Sequence, residues 1–256
     1  FGVFAFYFSI VTFLSIFATG RYDLAILLPK EKKDAINILG LSFLILIIFT
    51  TTISIIGFLL SGFLFSFPRL DQLGNWIWII PVLVFLLAGI NIFTAWNNRN
   101  KKFGKTSFSK VLMYAGDAFS GVYIGSIKNN VQYSATGMKK IFHPDHVISS
   151  TKGWSFHGLI LGKFIGLFSS FSYLTFSFFK RDRKELQHVS TGHIKEMAKE
   201  HRDFPKINML HALTDELKTS GLSFVILAFF MERTLGIYNM TYKILRSPLS
   251  TIGNSF

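Results

Sequence analysis

Seven ionisable side chains interrupt stretches that are otherwise apolar: Asp117, Lys163, Asp215, Glu216, Lys218, Lys243 and Arg246. A charge among apolar residues is costly to desolvate, so it pairs, lines a wet cavity or meets a polar ligand. Lys163, Lys243 and Arg246 are candidates for a cavity that receives an anionic headgroup, the cations supplying the attraction. Asp117 and Asp215 are candidates for coupling to an ion gradient. A plainer reading pairs Asp215 with Lys218 at i,i+3 on one helix face and lets the other charges reach an interface on their long stems.

Catalytic chemistry finds little support. The cluster His143-Pro144-Asp145-His146, with His157 beyond it, has no zinc-ligand spacing, and no metal is expected there. G-x-S-x-G, phosphate-loop, dinucleotide-loop and H-E-x-x-H patterns are missing, as is any cysteine. No catalytic residue and no cofactor are assigned, and the chain does not read as an enzyme.

The elements that position these charges follow from composition. Half of the 256 residues are hydrophobic, 30 are Phe, and only 16% are charged. The charges sit in short blocks between long apolar runs, which excludes an ordinary soluble enzyme, a disordered tail and a small secreted scaffold. The expected fold is all-α: a polytopic membrane helix bundle of about seven transmembrane helices, each of roughly 20 residues. The runs are 1–19, 35–67, 76–96, 111–127, 158–179, 209–230 and a seventh from Gly236. The second is too long for one upright crossing, so it must tilt, extend past the bilayer, or break near Thr50-Thr51-Thr52. Trp76, Trp78 and Trp96 mark the two interfaces of the third. Small-residue spacing at Gly158, Gly162 and Gly166, and at Gly121 and Gly125, predicts close helix packing.

Loop charges set an orientation. The loops at 20–34, 97–110 and 180–206 hold 4, 5 and 8 Lys/Arg, 17 together, against 6 in the alternate loops. The first set is therefore expected in the cytoplasm. Those loops account for the net charge of +13 without any nucleic-acid partner. The segment 180–206 reads as a solvated cytoplasmic linker with an amphipathic helix around HIKEMAKEH, closed by Pro205. It divides a first lobe, 1–179, from the start of a second, 207–256.

The stretch FGVFAFYFSIVTFLSIFATGRYDLAILLPKEKKDA resembles the polysaccharide biosynthesis flippases, the O-antigen and lipopolysaccharide lipid exporters. These belong to the multidrug/oligosaccharidyl-lipid/polysaccharide exporter superfamily. Arg21, Tyr22 and Asp23, then Leu28 and Pro29, match the family's signature after its second helix. GLILGKFIGLF at the fifth run, DFPKINMLHAL at 203–213 and GIYNMTYKILRSPLSTIG at 236–253 extend the likeness along nearly the whole chain. In the last, Lys243 stands at the family's usual Arg, whereas Lys163 stands where Gln is common.

The resemblance implies two helical lobes around a cavity that opens alternately to either side. On that reading the chain is a fragment, with the first helix missing and the second lobe truncated. It also implies a multi-pass protein of the bacterial cytoplasmic (inner) membrane. The protein would translocate an undecaprenyl-diphosphate-linked oligosaccharide, with the lipid bilayer and other surface-polysaccharide assembly proteins as partners. Arg21 and Asp23 would sit at the cytoplasmic mouth as an ion pair that makes and breaks. Two rivals remain: a drug or metabolite exporter of the same superfamily, and a membrane-embedded glycosyltransferase or polymerase.

Overall fold

The computed structural model describes residues 2–61, 73–119, 147–230 and 232–253, without the side chains of 147–157, 219, 232, 243 and 246–253. Among the described residues the chain is helical, with no strand. The helices are α1 (Gly2–Ala18), α2 (Tyr22–Ala25), α3 (Lys32–Leu59), α4 (Ile80–Arg99) and α5 (103–119). They continue as α6 (Val147–Arg181), α7 (Thr191–Glu200), α8 (Met209–Glu216), α9 (Leu222–Phe229) and α10 (Glu232–Gly253). Three are long and apolar enough to cross a membrane: Lys32–Leu59, Gly74–Arg99 and Gly158–Arg181; the apolar α1 is shorter. The protein is an all-α helical membrane bundle.

Helix α3 runs unbroken for 28 residues, about 42 Å at 1.5 Å per residue. It passes through the threonine run because the hydroxyls turn back onto the helix. Thr50 donates to the Leu46 carbonyl, Thr52 to Ile48 and the nearby Ser54 to Thr50, each at 2.8 Å. Thr50, Thr52 and Ser54 are thereby satisfied without a break, and the exposed face of Leu44, Ile47, Ile48, Ile55 and Phe58 suits hydrocarbon. The rest of that expected run, 62–67, lies outside the described residues.

Other boundaries shift. Helix α6 begins at Val147, so 147–157, expected as loop, is helical. Helix α10 begins at Glu232 rather than Gly236. The expected fourth run is helical as far as residue 119, within α5, and 120–127 lies outside the described residues. The sixth is one helical path with a wider π turn at Leu217–Gly221 joining α8 to α9. Gly121 and Gly125, and the cluster His143 to His146, also fall outside.

Helix α4 is central, packing on α1, α3 and α6. Gly89 makes a notch that the Phe171 ring fills: an added Cβ would lie 2.5 Å from Phe171 Cε2. Phe171 also meets Phe85 and Phe93 at 5.6 and 5.9 Å between ring centroids. Tyr7 on α1, fully buried, donates to the Trp76 carbonyl at 2.9 Å, just ahead of α4.

Helices α5 and α6 touch backbone to backbone. A Cβ on Gly116 would lie 2.7 Å from Gly166 Cα, and one on Gly166 would collide with the Met113 carbonyl oxygen. The sequence stripe thus contributes Gly166, but its partner is Gly116. Gly166→Ala is expected to cost about 1–3 kcal/mol, since backbone cannot yield as a flexible side chain can. Gly104→Ala, whose Cβ would meet open space, should not destabilise. Thermal unfolding of the two variants in one detergent checks this, and a wild-type melting curve for Gly166→Ala would refute the contact.

Candidate functional site

Lys163 on α6 places its Nζ 2.7 Å from Asp117 Oδ2 on α5 and 4.9 Å from the centroid of the Phe8 ring on α1. The side chains are 16% and 27% exposed, inside an otherwise apolar bundle. The glycine contact explains why they meet. Gly166 lies one turn beyond Lys163 and Gly116 directly precedes Asp117, so the helices approach closely enough for ammonium and carboxylate to bond directly. The cavity candidate Lys163 and the ion-coupling candidate Asp117 are therefore one unit. The carboxylate neutralises the ammonium and the aromatic face attracts it, and a phosphate competes with the carboxylate for that charge.

Asp215 and Lys218 form an i,i+3 pair at 3.1 Å, both largely exposed. Glu216 accepts from the Ser220 hydroxyl, whose oxygen is 3.4 Å from Thr12 Oγ1. That relay fastens the π turn to α1, one helical turn beyond Phe8. Lys243 and Arg246 lie one turn apart on α10, and their side chains are outside the described set.

At the polar end, Gly20 and Arg21 are consecutive left-handed residues, with φ of 55° and 60°. The reversal lets Thr19 donate to the buried Asp23 carboxylate at 2.7 Å. Arg21 and Asp23 form no ion pair within 4.0 Å among the described residues; the Arg21 Nε is buried without a hydrogen-bond partner there. Tyr22 is buried and donates to the Ala198 carbonyl of α7 at 3.0 Å; burial pushes the pKa of its hydroxyl up.

Helix α7 is not merely solvated. Val189 and Ile194 lie over Gly40 of α3, 3.5 and 3.7 Å from where its Cβ would stand, and Met197 is buried. Asn37, fully buried in α3, donates to the Lys33 and His188 carbonyls at 2.7 and 3.0 Å and accepts the Ser190 N–H at 3.0 Å. His193 lies 3.7 Å from Asp34 and 3.6 Å from Glu196. The amphipathic helix was legible; its docking was not, because the receiving face belongs to distant residues.

Arg99, at the end of α4, was also missed, since a terminal arginine on an apolar run reads as an ordinary interface charge. Its Nη1 donates to the carbonyls of Ile26, at 3.3 Å, and Pro29. Its Nη2 donates to Lys30 and Glu31 at 3.2 and 3.0 Å. One guanidinium thus satisfies the backbone of the Leu28-Pro29 loop, a task its planar fork does better than an ammonium. Arg99→Met is expected to speed tryptic cleavage between Lys30 and Lys33 about tenfold, as the lost charged donors would loosen the loop. Arg99→Lys should restore part of the protection. Unchanged digestion of Arg99→Met would show that the loop holds without the clamp.

Residues 1–133, just over half of the chain, match the sequence model of the family described as polysaccharide biosynthesis protein. No curated protein and no solved structure matches the chain. The matched region contains α1 to α5, and with them Phe8, Asp117 and the Arg99-clamped loop. An apolar helical bundle carrying an internal ion pair, matched over that length, belongs to the polysaccharide biosynthesis protein family.

Proposed function

We propose that the chain belongs to a flippase that moves an undecaprenyl-diphosphate-linked oligosaccharide across the cytoplasmic membrane by alternating access, without performing chemistry on it. The observation that carries this reading is Lys163, an ammonium within an apolar span held by two partners it can exchange, Asp117 and the Phe8 ring. A diphosphate crossing hydrocarbon must replace its lost hydration. Lys163 supplies a fixed positive charge for it, while Asp117 keeps that charge neutralised when the site is empty.

Substrate phosphate displaces the carboxylate, and Asp117, once released, can take up a proton or cation. Lys243 and Arg246 on α10 add positive charge to the same route, and Arg21 with Asp23 stands at its mouth. Family membership supports the polysaccharide assignment, and the 17-to-6 distribution of loop Lys/Arg supports a multi-pass protein with its basic end in the cytoplasm.

Two variants and a charge swap separate binding from packing. In a strain lacking the gene, Lys163→Met is expected to lower surface polysaccharide about tenfold at normal protein level, with lipid-linked sugar held on the cytoplasmic side. Asp117→Asn should retain part of the export. The double variant Lys163→Asp/Asp117→Lys should likewise keep a normal protein level but not export, since the ammonium then stands on the wrong helix. Full export from the swap would make the pair structural and remove Lys163 from the substrate route. Normal surface sugar with altered drug tolerance in the deletion strain would favour a drug exporter.

A further inference from the structure

Helix α4 closes in a turn that ordinarily calls for glycine. Lys101 adopts φ of 56°, a left-handed conformation that L residues avoid. Its N–H bonds to the Asn98 carbonyl at 3.0 Å, and the Lys102 N–H bonds to Asn97 at 2.8 Å. The turn delivers Lys102 to Asp182, whose two carboxylate oxygens both lie 2.8 Å from its Nζ. Lys105, in the first turn of α5, enters the same corner. Its Nζ is buried and has no hydrogen-bond partner among the described residues.

We infer that this corner binds the phosphate group of an anionic lipid headgroup, with Lys105 and Arg181 as its cations. The neighbouring carboxylate cannot serve Lys105 fully, because Asp182 is already chelated by Lys102. Lys102, Lys105 and Arg181 against one Asp182 leave an excess of positive charge. Burial lowers the pKa of the Lys105 ammonium, Lys102 and Arg181 lower it further, and Asp182 offsets only part of this. A water molecule would give the ammonium an acceptor but leave the charge; a phosphate supplies both.

Position indicates where the phosphate comes from. The apolar spans end at Arg99 and Arg181, so the corner lies just past the hydrocarbon boundary, where headgroups are. Phe103 and Phe108 on α5 are 59% and 49% exposed beside it, as aromatic residues at a membrane interface are. The N-terminal end of the α5 dipole adds to the positive field.

The test uses the whole purified chain in a neutral detergent. Thermal unfolding is followed while phosphatidylglycerol, phosphatidylcholine or inorganic phosphate is added at matched ionic strength. Phosphatidylglycerol should raise the unfolding temperature and phosphatidylcholine should not. Lys105→Met should need about tenfold more phosphatidylglycerol for the same shift, while Lys110→Met, at an exposed lysine, should behave as wild type.

Without lipid, Lys105→Met should unfold no earlier than wild type, because it removes an unpartnered buried charge. An equal response to inorganic phosphate, lost in the same variant, would keep a phosphate site and overturn its lipid source. Should Lys105→Met fail to fold, Arg181→Gln decides, and a wild-type phosphatidylglycerol response from either variant overturns the proposal.

Discussion

An ammonium and a carboxylate 2.7 Å apart, on helices whose apolar runs otherwise carry only uncharged hydroxyl side chains, set the terms for the rest of this bundle. Either charge alone would have to neutralise or drag water into the apolar layer. Together they are tolerable, provided that the helices carrying them come close enough. Side chains larger than hydrogen at 116 and 166 would hold α5 and α6 apart, so the glycine contact and the ion pair are two aspects of one constraint. Phe8 ties the pair to α1, and Thr12, a turn further on, ties α1 to the π turn between α8 and α9. Helix α1 is thus the strut between the two polar features inside the bundle.

The same rule, that a desolvated polar group must find a partner, organises the polar end through backbone rather than charge. Arg99 satisfies four carbonyls of the loop after α2, and Asn37 satisfies the backbone leading into α7. The first loop and the segment after α6 consequently form one packed unit on α3 and α4. Motion that opens this end must break those bonds or carry both segments together.

Much of the architecture was legible because its causes are local. Apolar run length and the blocks of charge between runs announced spans at 35–67, 76–96 and 158–179, where the structure has apolar helices over 32–59, 74–99 and 158–181. The continuous path of α3 through three threonines was undecided from sequence, since hydroxyl back-bonding to the helix appears only once the helix exists. The docked state of α7 was hidden for another reason. Its periodicity declares an apolar face, but the receiving surface is built by Asn37 and Gly40, the former 151 residues from the His188 carbonyl it binds.

Composition by itself determined that this chain is an apolar helical bundle and that Asp117, Lys163 and the other interrupted charges must be satisfied within it, because desolvation applies to them in any arrangement. Which partner satisfies which charge was decided by tertiary structure. Lys163 and Asp117 are 46 residues apart, and nothing in either helix's period sets the rotation and height at which the two helices meet. Gly116 against Gly166 sets both, by allowing an approach that any side chain would block.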